Sequence, residues 1–190
     1  MWELKSVSHI VYLDMERSLM RKPTIFASNT CTPFASKTFD TIFYDPPHQW
    51  GKSDNPCPTY PSEIKKYYQK HKPFAFTYYG LDKYKTRESL IAHVWRAQTE
   101  FYRILKDDGL LMLKWNECAI LMRRIEQAMP LFQTIMRLTI ADPSHTYGTA
   151  TTYWLVMVKQ KGEDSQRSLL DTCFCQNGLK PALHASEVKQ

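Results

Sequence analysis

Phe39-Asp40-Thr41-Ile42-Phe43-Tyr44-Asp45-Pro46-Pro47-His48 is a β-branched and aromatic run that meets two prolines. Such a run predicts a buried strand, because these side chains pack well on a pleated surface. Proline has no main-chain N–H and cannot continue a ladder or enter a helix interior. The strand must therefore stop and present Asp45 at its carboxyl end. Upstream, two shorter apolar runs at residues 7–13 and 23–27 read as strands, the first ending in Asp14 and the second followed by Ser28-Asn29-Thr30. Downstream, Leu90, Val94, Ala97, Phe101 and Ile104 recur at helical spacing. They predict an amphipathic helix over residues 86–105, ended by Asp107-Asp108-Gly109. Residues 110–113 then form a strand that runs into Lys114-Trp115-Asn116-Glu117, and residues 119–129 a second helix stopped by Pro130. Strands at residues 131–140 and 152–158 close the pattern.

Alternating strand and helix give an α/β fold with a mostly parallel sheet. The last two strands have no helix between them, which predicts an antiparallel hairpin at one edge. In such sheets ligands bind at the carboxyl ends of the strands, where Asp14, Ser28, Asp45 and Trp115 all fall. Residues 1–160 read as one domain. Within it, residues 49–85 are punctuated by Gly and Pro and rich in Lys and Tyr, as in a substrate-recognition loop or lid. Residues 161–190 read as a polar tail.

At 190 residues, 43% hydrophobic and 23% charged, the composition is that of an ordinary globular domain. No apolar run approaches the roughly 20 residues of a membrane-spanning helix, so no membrane partner is expected. The first residues lack a basic stretch followed by an apolar core, and a cytoplasmic setting is the expectation. There the five cysteines should stay reduced. Cys173-Phe174-Cys175, with His184 nearby, lacks the two-residue spacer of zinc sites, and no metal is expected. Lys and Arg outnumber Asp and Glu by 25 to 19, a net charge of +6 that favours contact with phosphates.

Asp45 and the residues after it have a mechanical logic for amine methylation. An exocyclic amine on adenine is a poor nucleophile, because its lone pair is delocalised into the ring. The Asp45 carboxylate and the Pro46 carbonyl can each accept a hydrogen bond from it and aim that lone pair. Pro46 and Pro47 hold the backbone in place, and the ring of His48 can stack on a base swung out of its helix. The plainer alternative is a strand terminator before a turn. Trp115 likewise reads either as a stacking wall or as a core residue, with Asn116 beside it and Lys52 in the insertion as substrate contacts. The lysines of residues 49–85 are interleaved with tyrosines, a mixture that suits phosphate neutralisation and base stacking, or simply a solvated surface.

These stretches, with Leu105-Lys106-Asp107-Asp108-Gly109-Leu110-Leu111-Met112-Leu113-Lys114-Trp115-Asn116-Glu117 and Thr152-Tyr153-Trp154-Leu155, resemble small bacterial and phage methyltransferases related to the DNA adenine-amine enzymes. The resemblance spans roughly residues 1–160. It implies a Rossmann-like methyltransferase sheet and S-adenosylmethionine as cofactor. It implies that Asp14 holds the cofactor ribose, that Ser28 and Asn29 lie near its adenine, and that Asp45 touches both cofactor and base. Asp45, Pro46, Pro47 and His48 become the catalytic set, and DNA, ahead of RNA, the substrate. His48 departs from the larger aromatic ring usual at its position. The glycine-rich cofactor turn of the family falls before the segment that matches Met1-Trp2. That supports a second expectation, a non-catalytic nucleic-acid-binding subunit, working with a partner subunit or as a homodimer.

Overall fold

The computed structural model describes residues 7, 9–15, 22–48, 50, 83–117, 119–140 and 151–160. In chain order these form β1 (Leu13–Asp14), β2 (Ile25–Phe26), β3 (Phe39–Tyr44), α1 (Arg87–Ile104), β4 (Leu105–Asn116), α2 (Met122–Gln127), β5 (Phe132–Ile140) and β6 (Thr152–Lys159). β1 and β2 make a two-stranded parallel ladder, and the other four strands form a mixed sheet in the order β3-β4-β6-β5. The chain is thus α/β, as its alternating pattern predicts, but the sheet is mixed rather than mostly parallel, because only β3 and β4 pair parallel within it while β6 is antiparallel to both its neighbours.

The last two strands form an antiparallel hairpin at one edge of the sheet, as expected. β6 is antiparallel to both β4 and β5, and it lies between them, leaving β5 at the edge. Side-chain chemistry accounts for the interior place of β6. β6 is apolar on both faces, with Leu155 and Met157 buried on one and Trp154, Val156 and Val158 half-buried on the other, so it belongs in the sheet interior. β5 is exposed over most of its length, at Gln133, Arg137 and Thr139 and also at Ile135, Met136 and Leu138, as an outermost strand is.

Three element boundaries also move. The first strand is confined to Leu13–Asp14 rather than residues 7–13. Ile10 N–H closes a turn onto the Val7 carbonyl, and Pro23, lacking an N–H, limits what β2 can offer upstream. The first helix ends at Ile104, within a residue of its expected end, but the strand expected from residue 110 starts at Leu105. β4 begins at once, and its register against β3 jumps from Phe39↔Leu105 to Thr41↔Leu110. The extra residues bulge out. At Gly109 a β-carbon would stand 2.7 Å from Leu105 Cγ and 2.9 Å from the Asp40 carbonyl, so only glycine lets the strand return. The second helix shrinks from residues 119–129 to Met122–Gln127, with the Glu117 carboxylate accepting the Met122 N–H at 2.7 Å.

α1 starts at a reciprocal cap, Thr86 Oγ1 accepting from Ser89 N–H and Ser89 Oγ from Thr86 N–H. Its apolar stripe of Leu90, Val94, Ala97, Phe101 and Ile104 is buried against one face of the sheet, where Tyr44 of β3, Leu111, Leu113 and Trp115 of β4, and Leu155 and Met157 of β6 also sit. Tyr44 meets Phe101 edge-on at 4.7 Å. Two polar residues inside this core pin distant segments. Gln98, fully buried, donates to the Ala128 carbonyl and accepts from Leu131 N–H, fixing the turn into β5. Glu100, 7% exposed, accepts from Thr32 N–H, from Thr32 Oγ1 and twice from Arg103. Arg103 in turn donates to the Phe34 carbonyl at 2.8 Å. This network sets the path of the chain just before β3.

Among the described residues no helix is long and apolar enough to cross a membrane. The expectation that all cysteines stay reduced fails at Cys31, which is disulfide-bonded. Its partner is one of the other four cysteines, all outside the described residues. Sequence spacing says nothing of which thiols the fold brings together.

Candidate functional site

β3 and β4 run parallel with Tyr44 opposite Leu113, so Asp45 and Lys114 leave the register side by side at the carboxyl end of the strands. Lys114 Nζ donates to Asp45 Oδ2 at 2.9 Å. The two side chains are 35% and 31% exposed. Among the described residues Asp45 Oδ1 takes no hydrogen bond. The lysine is firmly based: its neighbours Leu113 and Trp115 are fully buried, and across the sheet it is opposite Trp154 of β6.

Pro46 is buried and Pro47 half-buried. The chain then turns the His48 ring edge-on to Trp115, with centroids 6.3 Å apart. Burial pushes the His48 pKa below its ordinary value of 6.5; Asp45 opposes that shift, Lys114 adds to it, and a hydrogen bond to the main chain of Pro46 opposes it again. The imidazole is therefore neutral at neutral pH. A carbonyl oxygen has two lone pairs, so that of Pro46 can accept more than one hydrogen bond.

Of the two readings open for Trp115, the structure has the core residue: it is fully buried and its indole N–H donates to the Ile120 carbonyl at 2.8 Å. It backs His48 rather than offering an open face. Asn116, half-buried at the end of β4, donates to Thr152 Oγ1. Glu117 holds α2 with one oxygen and accepts the Tyr153 hydroxyl with the other. Lys52 and the rest of residues 51–82 lie outside the described residues, as do the loop at residues 141–150 and the tail from residue 161.

Asp14 ends β1, exposed, with its carbonyl accepting Ala27 N–H after β2. Ser28 closes the next turn through Thr30, its Oγ 2.8 Å from Thr30 Oγ1. Asn29 comes beside Tyr44. Burial, and after it Tyr84, raise the pKa of that hydroxyl and Asn29 lowers it, although the two do not meet in hydrogen-bond geometry. The turn after β2 thus adjoins the end of β3, and both parallel ladders finish near one another. Two buried polar atoms there have no partner among the described residues, Tyr44 Oη and, two residues past His48, Trp50 Nε1. An unsatisfied buried group costs about 1–3 kcal/mol, the kind of deficit that a polar ligand relieves.

The sequence reading brought out Asp45 and His48 but not Lys114 as the partner of Asp45. The signal was present, since pairing Phe39–Tyr44 in parallel with residues 110–113 places Asp45 next to Lys114. Among the described residues no cluster of three His, Cys, Asp or Glu could hold a metal ion. No protein-family model and no curated protein matches this chain.

Proposed function

We propose that this chain is an S-adenosylmethionine-dependent methyltransferase with a Rossmann-like arrangement, acting on an exocyclic base amine, adenine in DNA ahead of RNA. The observation that carries the reading is the Asp45 carboxylate, held at Oδ2 and open at Oδ1, at the carboxyl end of a parallel strand and directly before two prolines. The residues nearby fit the cofactor chemically. Asp14 suits ribose hydroxyls, and the unpartnered Tyr44 hydroxyl beside Asn29 leaves a polar group to be satisfied. S-adenosylmethionine, when bound, supplies an electrophilic methyl group.

The chain's own residues do the orienting. Asp45 Oδ1 accepts one N–H of the amine and the Pro46 carbonyl accepts the other, which turns the nitrogen lone pair toward the methyl group. The neutral His48 ring, braced by Trp115, lies against the base. The basic surplus of the chain neutralises backbone phosphates.

Calorimetric titration of S-adenosylmethionine into the chain and into Asp14→Ala tests the cofactor part, with loss of binding expected in the variant. Transfer of labelled methyl groups to DNA and RNA tests the rest. An Asp45→Ala protein as active as the parent would overturn the reading.

A further inference from the structure

We propose that Lys114 and Asp45 together read two adjacent atoms on the pairing edge of the target base, the carboxylate accepting from the exocyclic amine and the ammonium donating to the ring nitrogen beside it. This inference rests on the methyltransferase reading and names the class of base that the site admits. Three observations carry it. The ion pair joins an acceptor with an open Oδ1 to an ammonium bearing three donor protons, only one of which Asp45 Oδ2 uses. Both side chains are about one-third exposed at the strand ends, so a ligand can reach them. Lys114 Nζ is held 2.9 Å from Oδ2 of the same carboxylate that offers Oδ1, so the donor and the open acceptor are neighbours and can face neighbouring atoms of one ring edge.

Base chemistry does the rest. A base removed from its helix is read along its pairing edge. In adenine and cytosine the amine is a donor and the adjoining ring nitrogen an unprotonated acceptor. That donor–acceptor order is the complement of carboxylate and ammonium. On the pairing edge of guanine the ring nitrogen beside the amine carries a proton, which would point at the ammonium. The site therefore admits adenine and cytosine and rejects guanine. An exposed ion pair adds only about 0–1 kcal/mol to stability, so a purely structural role for Lys114 would leave little for selection to act on.

The test pairs a change in the protein with a change in the substrate. Methyl transfer by the full chain is measured on otherwise identical oligonucleotides carrying adenine or 1-deazaadenine, which keeps the amine and lacks the ring nitrogen. Parent protein should lose roughly 10- to 100-fold in kcat/KM on the deaza base, the range for a hydrogen bond to a charged group. Lys114→Met should be slowed to a similar degree on adenine and show no further loss on 1-deazaadenine, with its thermal midpoint unchanged. Lys114→Arg should keep the discrimination. Equal rates of the parent on the two bases, or discrimination that persists in Lys114→Met, would overturn this inference and leave the methyltransferase reading standing. No transfer by the parent to any amine-bearing base would overturn both.

Discussion

Glu100 and Asp45 are both carboxylates paired with a cation, and they differ in what is left over. Glu100 is 7% exposed, accepts four hydrogen bonds and has no capacity to spare. Asp45 is 31% exposed at its side chain and, among the described residues, has one hydrogen-bond partner and keeps a whole oxygen open. A saturated carboxylate holds segments of chain together, and an unsaturated one at a strand end is available to something that comes and goes. The same contrast separates Gln98, whose amide is used at both ends inside the core, from Tyr44, whose hydroxyl is buried without a partner.

Removing the saturated acid should have the largest effect. Glu100→Ala leaves Arg103 and Thr32 without their acceptor and should cost about 3–5 kcal/mol in denaturant unfolding, as for other broken buried pairs. Asp45→Ala should do the reverse, lowering methyl transfer by roughly 100- to 1000-fold, in the range for lost transition-state contacts, while the unfolding midpoint stays put. A variant that unfolds instead would erase the distinction between the two acids.

The histidines sharpen the contrast through pH. Burial lowers the pKa of both His48 and His93, the latter to about 4. Each folded value lies below the unfolded one near 6.5, so the unfolded chain binds more protons once the solution is acidic. For His93 the contribution is fully present above pH 6.5 and is lost as pH falls from about 6.5 to about 4, by at most about 3 kcal/mol. Thermal unfolding at pH 7.5 and 4.5, repeated on His93→Asn, checks this: the variant should lose less stability on acidification. Smallest of all, Lys106→Ala, which removes an exposed partner of Asp40, should change stability by no more than about 1 kcal/mol in the same assay.

What could be read in the sequence was what periodicity and proline chemistry determine. The β3 strand stops at Asp45 because two prolines follow it, and α1 buries the five apolar residues that its spacing picks out. What could not be read depends on which strand lies beside which. The Asp45–Lys114 pair requires the parallel register of β3 and β4, and the insertion of β6 requires weighing both of its faces. Gln98 and Glu100 look like polar positions on a solvated helix face until their partners, 30 to 68 residues away, are placed. β1 was overestimated because apolar residues 7–12 suggested a strand for which β2 has no matching length.

The position of β6 also bears on how the molecule is made. The strand at the interior of the sheet is the last of the described strands to be synthesised, and its neighbours β4 and β5 have no ladder with each other. Until residues 152–159 emerge, β4 shows an unpaired edge of apolar residues and β5 has nothing to pair with. A nascent chain halted before Thr152 would therefore be adhesive toward other unfinished chains. In a ribosome-display series of increasing length, resistance to protease should arrive in one step as β6 clears the exit tunnel, bringing β5 with it.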